Sequence, residues 1–173
     1  EDEGFWEEGS NLVLNHDYED LGDNLVVNGT FETSVDNNQW FNFGSPTTAE
    51  RSTARAYEGT HSYHIVGDST NDGTQAAATQ FVGDYTVGDV VKITAYVYPI
   101  TAFNNQIKTG VAGSSRSITS GYTLVLNQWN KIEYYATITD TTVNYITFLI
   151  MGDSKPGEFY LDNVSAEIVD PNN

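Results

Sequence analysis

Two carboxylates stand out for the chemistry they could carry. Glu32 closes the run Asn24-Leu25-Val26-Val27-Asn28-Gly29-Thr30-Phe31-Glu32, in which strand-forming apolar residues enter an Asn-Gly turn and an aromatic and an acid follow at once. A buried segment ending in such a turn delivers its acid to a fixed place. Asp162 lies near the other terminus, inside the apolar run Phe159-Tyr160-Leu161-Asp162-Asn163-Val164. Burying a carboxylate is costly unless a cation or a set of donors satisfies it, and the chain has 7 Lys+Arg against 24 Asp+Glu. A bound metal ion is the simpler way to satisfy both acids. The other reading is that Glu32 caps backbone donors and Asp162 sits in a turn.

Catalytic arrangements are missing. The three histidines, His16, His61 and His64, form no His-x-His pair or helical metal motif, and there is no Gly-x-Ser-x-Gly elbow. The absence of cysteine excludes disulfides, thiolate nucleophiles and zinc thiolate sites. Glycoside hydrolysis needs two carboxylates about 5 to 9.5 Å apart across a cleft, and no strand carries closely spaced acids. The Gln-x-His and Tyr-x-Lys clusters of a jelly-roll polysaccharide lyase are missing too. Only a dispersed pair such as Glu133 and Glu158 is left, so no enzyme is expected.

The elements that must hold these residues read as strands throughout. With 173 residues and 39% hydrophobic content, the chain suits one domain burying roughly 70% of its unfolded surface. Residues 1–23 read as an acidic tail, and residues 24–170 as the domain. Within the tail, Asn11 to Glu19 matches Asn24 to Glu32 nearly position by position, thirteen residues earlier. This first copy is either an extra edge strand or a competitor for one slot. The second copy is favoured as the true first strand, because Asp36-Asn37-Asn38 and Trp40 follow it. Beyond it, short strands are expected at 40–43, 49–56, 62–66, 76–81, 90–98, 106–112, 117–124, 129–138, 145–151 and 159–169, separated by Gly, Pro, Asn and Asp turns and without a helical period. Two antiparallel sheets packed face to face, a sandwich or jelly roll, follow from that spacing.

Alternation sorts the faces. Val91, Ile93, Ala95 and Val97 point one way and Lys92, Thr94, Tyr96 and Tyr98 the other. Ile132, Tyr134, Ala136 and Ile138 oppose Glu133, Tyr135 and Thr137, and Ile146, Phe148 and Ile150 oppose Tyr145, Thr147 and Leu149. Three strands thus turn tyrosine away from the core. The formal net charge of -17 repels phosphate backbones and anionic lipid, so nucleic acid is not an expected partner. No apolar stretch reaches the roughly 20 residues of a membrane span, and no membrane insertion is expected. The Asp, Asn, Thr, Gly and Tyr bias with little lysine suits an extracellular or cell-surface protein.

The ordered set Asn24 to Glu32, Trp40, Glu58-Gly59-Thr60-His61-Ser62-Tyr63, Gly88-Asp89 leading into Val91 to Val97, Trp129-Asn130-Lys131-Ile132 and Phe159 to Ser165 resembles carbohydrate-binding modules of the family 4, 9 and 22 type. The resemblance implies a galactose-binding-like β-sandwich jelly roll, no catalysis, and a structural calcium ion tying the first strand to the last. Its implied ligands are the carboxylates of Glu32 and Asp162 and the backbone carbonyls of Thr30 and His61. Where such modules often carry two acids, this chain has Asp162-Asn163, one carboxylate fewer. Calcium takes 6 to 8 oxygens, and so few carboxylates would give weak, extracellular-range affinity. The tyrosine face then becomes a cleft for a neutral β-glycan, a β-glucan such as laminarin or xylan, because pyranose C–H faces stack on aromatic rings. Tyr96, Tyr98, Tyr135 and Tyr145 would supply rings, with Glu133, Gln106 and Lys108 nearby. Trp40 and Trp129 read as core anchors, Trp129 being the better sugar platform of the two. Arg51 and Arg55 would clamp hydroxyls or offset local acid. Such a module is expected within a larger secreted or surface protein that binds or degrades glycans. The alternatives are plain cross-strand pairing of the tyrosines, in a structural or adhesion sandwich that touches no sugar.

Overall fold

The computed structural model describes residues 21–34, 40–43, 46–67, 76–81, 85–101, 107–112, 119–122, 124–141, 145–150 and 157–169. The repeat at 11–19 lies outside them. Eleven strands and no helix occur among the described residues: β1 (Leu21–Asn24), β2 (Phe41–Phe43), β3 (Thr48–Ser52), β4 (Ser62–Val66), β5 (Ala76–Phe81), β6 (Val90–Pro99), β7 (Ile107–Ala112), β8 (Thr119–Tyr122), β9 (Asn130–Thr137), β10 (Tyr145–Ile150) and β11 (Glu158–Val169). They make two antiparallel sheets. The first has the order β3-β4-β11-β6-β9, with β1 also on β11, and the second β2-β5-β10-β7-β8. The all-β sandwich is as expected.

The last strand is the axis of the first sheet. β6 pairs along its length, from Phe159↔Pro99 to Val169↔Val90. On its other side β4 covers Glu158 to Leu161 and β1 covers Glu167 to Val169. This arrangement buries Asp162 in mid-sheet, opposite Tyr96. Alternation in β6 holds: Val91, Ile93, Ala95 and Val97 are fully buried, and Lys92, Thr94, Tyr96 and Tyr98 lie half-buried on the outer face. Ile132, Ala136 and Ile138 are buried likewise, whereas Tyr134, expected in the core, only packs against it.

The first strand departs from expectation. β1 ends at Asn24, where the strand was expected to begin, and lies ahead of the expected domain start apart from that residue. Of the apolar residues that follow, Val26 is buried, Leu25 half-buried and Val27 exposed, and they form no ladder, because side chains take up the backbone of Val26 and Val27. Val26 N donates to Asn24 Oδ1 at 3.0 Å, and the Gln80 amide clamps Val27 by accepting from its N and donating to its O, both at 2.7 Å. The chain then turns at Asn28 (φ 53), with Phe31 N donating to Asn28 O at 3.2 Å. Gly29 has no alternative there, since a Cβ would sit 2.0 Å from Val164 O. Phe31 takes the left-handed region itself (φ 55), which costs about 1–2 kcal/mol. Its fully buried ring offsets this, stacked on Tyr63 at 5.4 Å and tilted against Trp40 at 5.1 Å. Trp40 is the core anchor it was expected to be, with Nε1 donating to Asn28 O at 3.2 Å.

Candidate functional site

The expected strand at 49–56 stops at Ser52. Residues 53–61 leave the sheet and cross its outer face as a strap. Local hydroxyls start the departure, Ser52 Oγ accepting from Ala54 N at 3.2 Å and Ser62 Oγ donating to Arg55 O at 2.6 Å. The two acids then hold the strap. Asp162 Oδ2 accepts from Tyr57 N at 2.7 Å and Glu58 N at 3.2 Å, while Oδ1 accepts from Asn163 N at 2.7 Å. Glu32 Oε1 accepts from Thr60 N and His61 N, both at 2.8 Å, and Oε2 accepts from Thr60 Oγ1 at 2.8 Å. Gly59 (φ 69) is what lets Glu32 in, since a Cβ would come within 2.4 Å of Oε1.

The two carboxylates differ electrostatically. The Thr60 N–H, then the His61 N–H, hold Glu32 down to about 2. Burial pushes Asp162 up, against the pull of the Tyr57, Glu58 and Asn163 amides, as desolvation of a 0% exposed carboxylate requires.

These donors bear directly on calcium. Glu32 Oε1 and Asp162 Oδ2 each accept two N–H groups, so backbone amides satisfy these two oxygens, while Asp162 Oδ1 accepts from Asn163 N alone. Among the described residues no group of three or more His, Cys, Asp or Glu side chains converges. Amide donors meet much of what a cation was expected to meet at these two acids, and calcium enters no step below. Of the four expected ligands, Asp162 and Glu32 hold the strap at two separate points and His61 belongs to it; Thr30 lies exposed in the preceding turn.

Beside the strap lies an aromatic surface. Tyr57, 42% exposed, stacks on Tyr96 with centroids 3.5 Å apart and planes at 14°. Trp129 stands edge-on to Tyr57 at 5.8 Å and to Tyr98 at 5.5 Å. The Arg55 guanidinium lies 4.5 Å from the Tyr98 centroid and 5.8 Å from that of Tyr160, and donates to Tyr98 Oη at 3.2 Å. His64 stacks on Tyr160 at 4.3 Å and pairs with Glu158 at 2.9 Å. Register explains the row: Tyr160 faces His64 on β4 and Tyr98 on β6. The hydrogen bond to Tyr96, followed by burial, raises the Tyr57 hydroxyl above its ordinary value.

Tyr96 and Tyr98 therefore share one face as expected, and Trp129, read as a core anchor, stands half-buried beside them instead, the better platform of the two tryptophans. Glu133 and Tyr135 share that face farther along β9, opposite Thr94 and Lys92; the Lys92 ammonium sits 5.5 Å over the Tyr135 ring and 3.9 Å from Glu133. Tyr145 does not join them. Its strand, β10, lies in the second sheet between β5 and β7, as does the strand of Lys108, and Gln106 lies outside the described residues. Arg51 is committed elsewhere, its Nε and Nη2 donating to Phe31 O and Glu32 O, so it braces the turn and leaves the aromatic surface to Arg55. Tyr57, Tyr160 and His64 were not anticipated. Tyr57 directly follows the stretch 49–56 read as a strand, and only pairing register could have revealed Tyr160 and His64.

No family model matches the chain, and no curated protein matches it either. Solved structures do. The CBM22-1 xylan-binding domain of Paenibacillus barcinonensis Xyn10C is 17% identical, with 86% of this chain and 96% of that one covered and a TM-score of 0.62. The CBM22-1-GH10 modules of Clostridium thermocellum Xyn10B complexed with xylohexaose are 19% identical over 85% of this chain and 29% of that one, with a TM-score of 0.64. TmCBM61 in complex with β-1,4-galactotriose is 15% identical over 84% and 98%, with a TM-score of 0.58. At these identities the likeness is one of fold: the chain is a β-sandwich of the architecture seen in carbohydrate-binding modules.

Proposed function

We propose that the chain is a non-catalytic module that holds a neutral β-linked glycan, xylan or a β-glucan, on the outer face of its first sheet. The observation that carries this reading is the surface formed by Tyr57, Tyr96, Tyr98 and Trp129 with Arg55 at its edge. Rings positioned by packing present apolar faces to pyranose C–H groups, while guanidinium and phenol groups pair with hydroxyls. Solved structures of the same fold hold xylohexaose and galactotriose, which supports a neutral oligosaccharide as the ligand. The net charge of -17 favours an uncharged chain over a uronate-rich one. We further propose that the module works outside the cell as part of a larger glycan-binding or glycan-degrading protein, in keeping with a neighbour that carries a GH10 module.

Affinity electrophoresis against soluble xylan, laminarin and β-1,4-galactan tests the reading. At least one polymer should retard the protein, and Tyr98→Ala and Trp129→Ala should each weaken binding about tenfold, the loss of roughly 1.4 kcal/mol of ring stacking. Tyr145→Ala, on the other sheet, should bind as the parent does. Retardation by no neutral polymer overturns the function. Retardation lost with Tyr145→Ala alone moves the cleft to the second sheet.

A further inference from the structure

The strap brings an exposed ring over the sheet through a backbone anchored from beneath. Tyr57 belongs to no strand, and its ring lies flat on Tyr96 at 3.5 Å. Tyr96 is the cross-strand partner of Asp162, and Asp162 Oδ2 receives the amides of Tyr57 and Glu58 at 2.7 and 3.2 Å. One fully buried carboxylate thus sits under the Tyr57 backbone and beside the Tyr57 ring's stacking partner. The strand is shaped for this: the pairing of β11 with β6 shifts register between Asp162 and Ser165, where Asn163 turns to φ 47. Asn163 Nδ2 also donates to Glu58 Oε2 at 3.3 Å, and Glu32 fixes the strap's far end through Thr60 and His61.

We propose that Asp162 is the positioning residue of the glycan surface: by accepting the Tyr57 and Glu58 amides it fixes the Tyr57 ring over Tyr96 as the preformed platform on which a sugar ring stacks. The inference rests on the reading that the outer aromatic face holds glycan. It gives Asp162 a task beyond satisfying its own burial. A buried carboxylate without these amides would be left with unmet acceptors, and a strap without the carboxylate would lose its central anchor. Preorganisation of this kind raises affinity by removing the ordering cost from the binding step.

The test is a double-mutant cycle with soluble xylan, laminarin or β-1,4-galactan, whichever binds the parent protein, measured by calorimetry in calcium and again in chelator. Asp162→Asn keeps the shape but turns an NH2 group toward one of the three amides. It should weaken binding about tenfold while unfolding stays cooperative, and Tyr57→Ala should weaken binding comparably. In the Tyr57→Ala background Asp162→Asn should then change affinity less than twofold, because both act through one ring. The near-ultraviolet circular dichroism of the stacked tyrosine pair should fall equally in both single variants, a signature that general loosening would not reproduce. Amide exchange gives a readout on the unaltered protein: the Tyr57 N–H should exchange slowly despite its surface strap. Affinity losses that add in the double variant, parent-like binding by a folded Asp162→Asn, or rapid Tyr57 exchange each overturn the inference. Loss of binding in chelator overturns it as well, by putting a cation where the amides are. If Tyr57→Ala alone binds normally, the glycan face is wrong, and that failure is separate from the positioning role.

Discussion

Tyr85 makes the clearest claim a single group can make here. Its hydroxyl is buried with no hydrogen-bond partner among the described residues, and burial pushes its pKa from an ordinary 10.0 up to about 12. The sign follows from which state releases the proton first. The unfolded chain ionises at about 10 and the folded chain holds the neutral phenol to about 12, so folding stability falls as pH climbs through that window. Below pH 10 the group contributes no pH dependence, only the desolvation of an unpaired hydroxyl. Tyr85→Phe should therefore stabilise the protein by about 1 kcal/mol at pH 7, with the gap to the parent widening above pH 10; urea melts across pH 7 to 11 check both. Gly59 makes the opposite case. Its φ of 69 and the 2.4 Å approach of a Cβ to Glu32 Oε1 leave no room for a side chain, so Gly59→Ala should cost on the order of 1–3 kcal/mol and release Glu32 from the strap. A Glu32 carboxyl pKa rising from about 2 toward the ordinary 4.5, followed by NMR, would report that release.

Strand alternation in β6 and β9 was legible because a period of two survives wherever one face is core and the other is not. The same signal says which face a residue takes and nothing about which sheet its strand joins, which is why Tyr145 could be grouped with Tyr96 and Tyr98 although β10 pairs with β5 and β7. The apolar run 25–27 misled for another physical reason: only Val26 is buried, Asn24, Gln80 and the carbonyl of Ala166 satisfy the run's backbone, and long-range clamps leave no local pattern. The strap is the third case. Ser52, Ser62 and Asp162 draw residues 53–61 off the sheet, and from sequence the first part of that stretch, 53–56, reads as the continuation of β3. Gln80 offers the sharpest test of this account. It is buried, belongs to β5 of the second sheet, and clamps both the N and O of Val27 across the sandwich. Gln80→Ala strands two part-buried backbone groups and should destabilise by about 2–4 kcal/mol, whereas an exposed polar truncation such as Thr47→Ala should stay within about 0.5 kcal/mol; guanidinium denaturation compares the two.

The molecule as a whole is a strongly acidic sandwich, with a formal net charge of -17. With 24 Asp+Glu against 7 Lys+Arg, self-repulsion works against the compact state, and the ion pairs around Glu133, 2.9 Å to the exposed Lys131 and 3.9 Å to the half-buried Lys92, lie at the surface and are of the kind worth little. Salt weakens both effects, since the screening length falls from about 10 Å at 0.1 M to about 3 Å at 1 M. Long-range repulsion among many acids loses more than a few short contacts do. Sodium chloride should therefore stabilise the fold, raising Tm by several degrees between 0.05 and 1 M, where each kcal/mol corresponds to about 2–4 °C at this size. Binding should respond differently. A neutral glycan stacked on Tyr57, Tyr98 and Trp129 carries no charge for the field to repel, so its affinity should move less than twofold over the same range. A polyuronate should be excluded at low salt and gain, if it binds at all, only as salt is added. Scanning calorimetry supplies the first half and affinity electrophoresis in stepped salt the second. A Tm that falls with salt would mean that local ion pairs outweigh the net charge, and a neutral-glycan affinity that falls with it would mean that charged groups, not rings, hold the ligand.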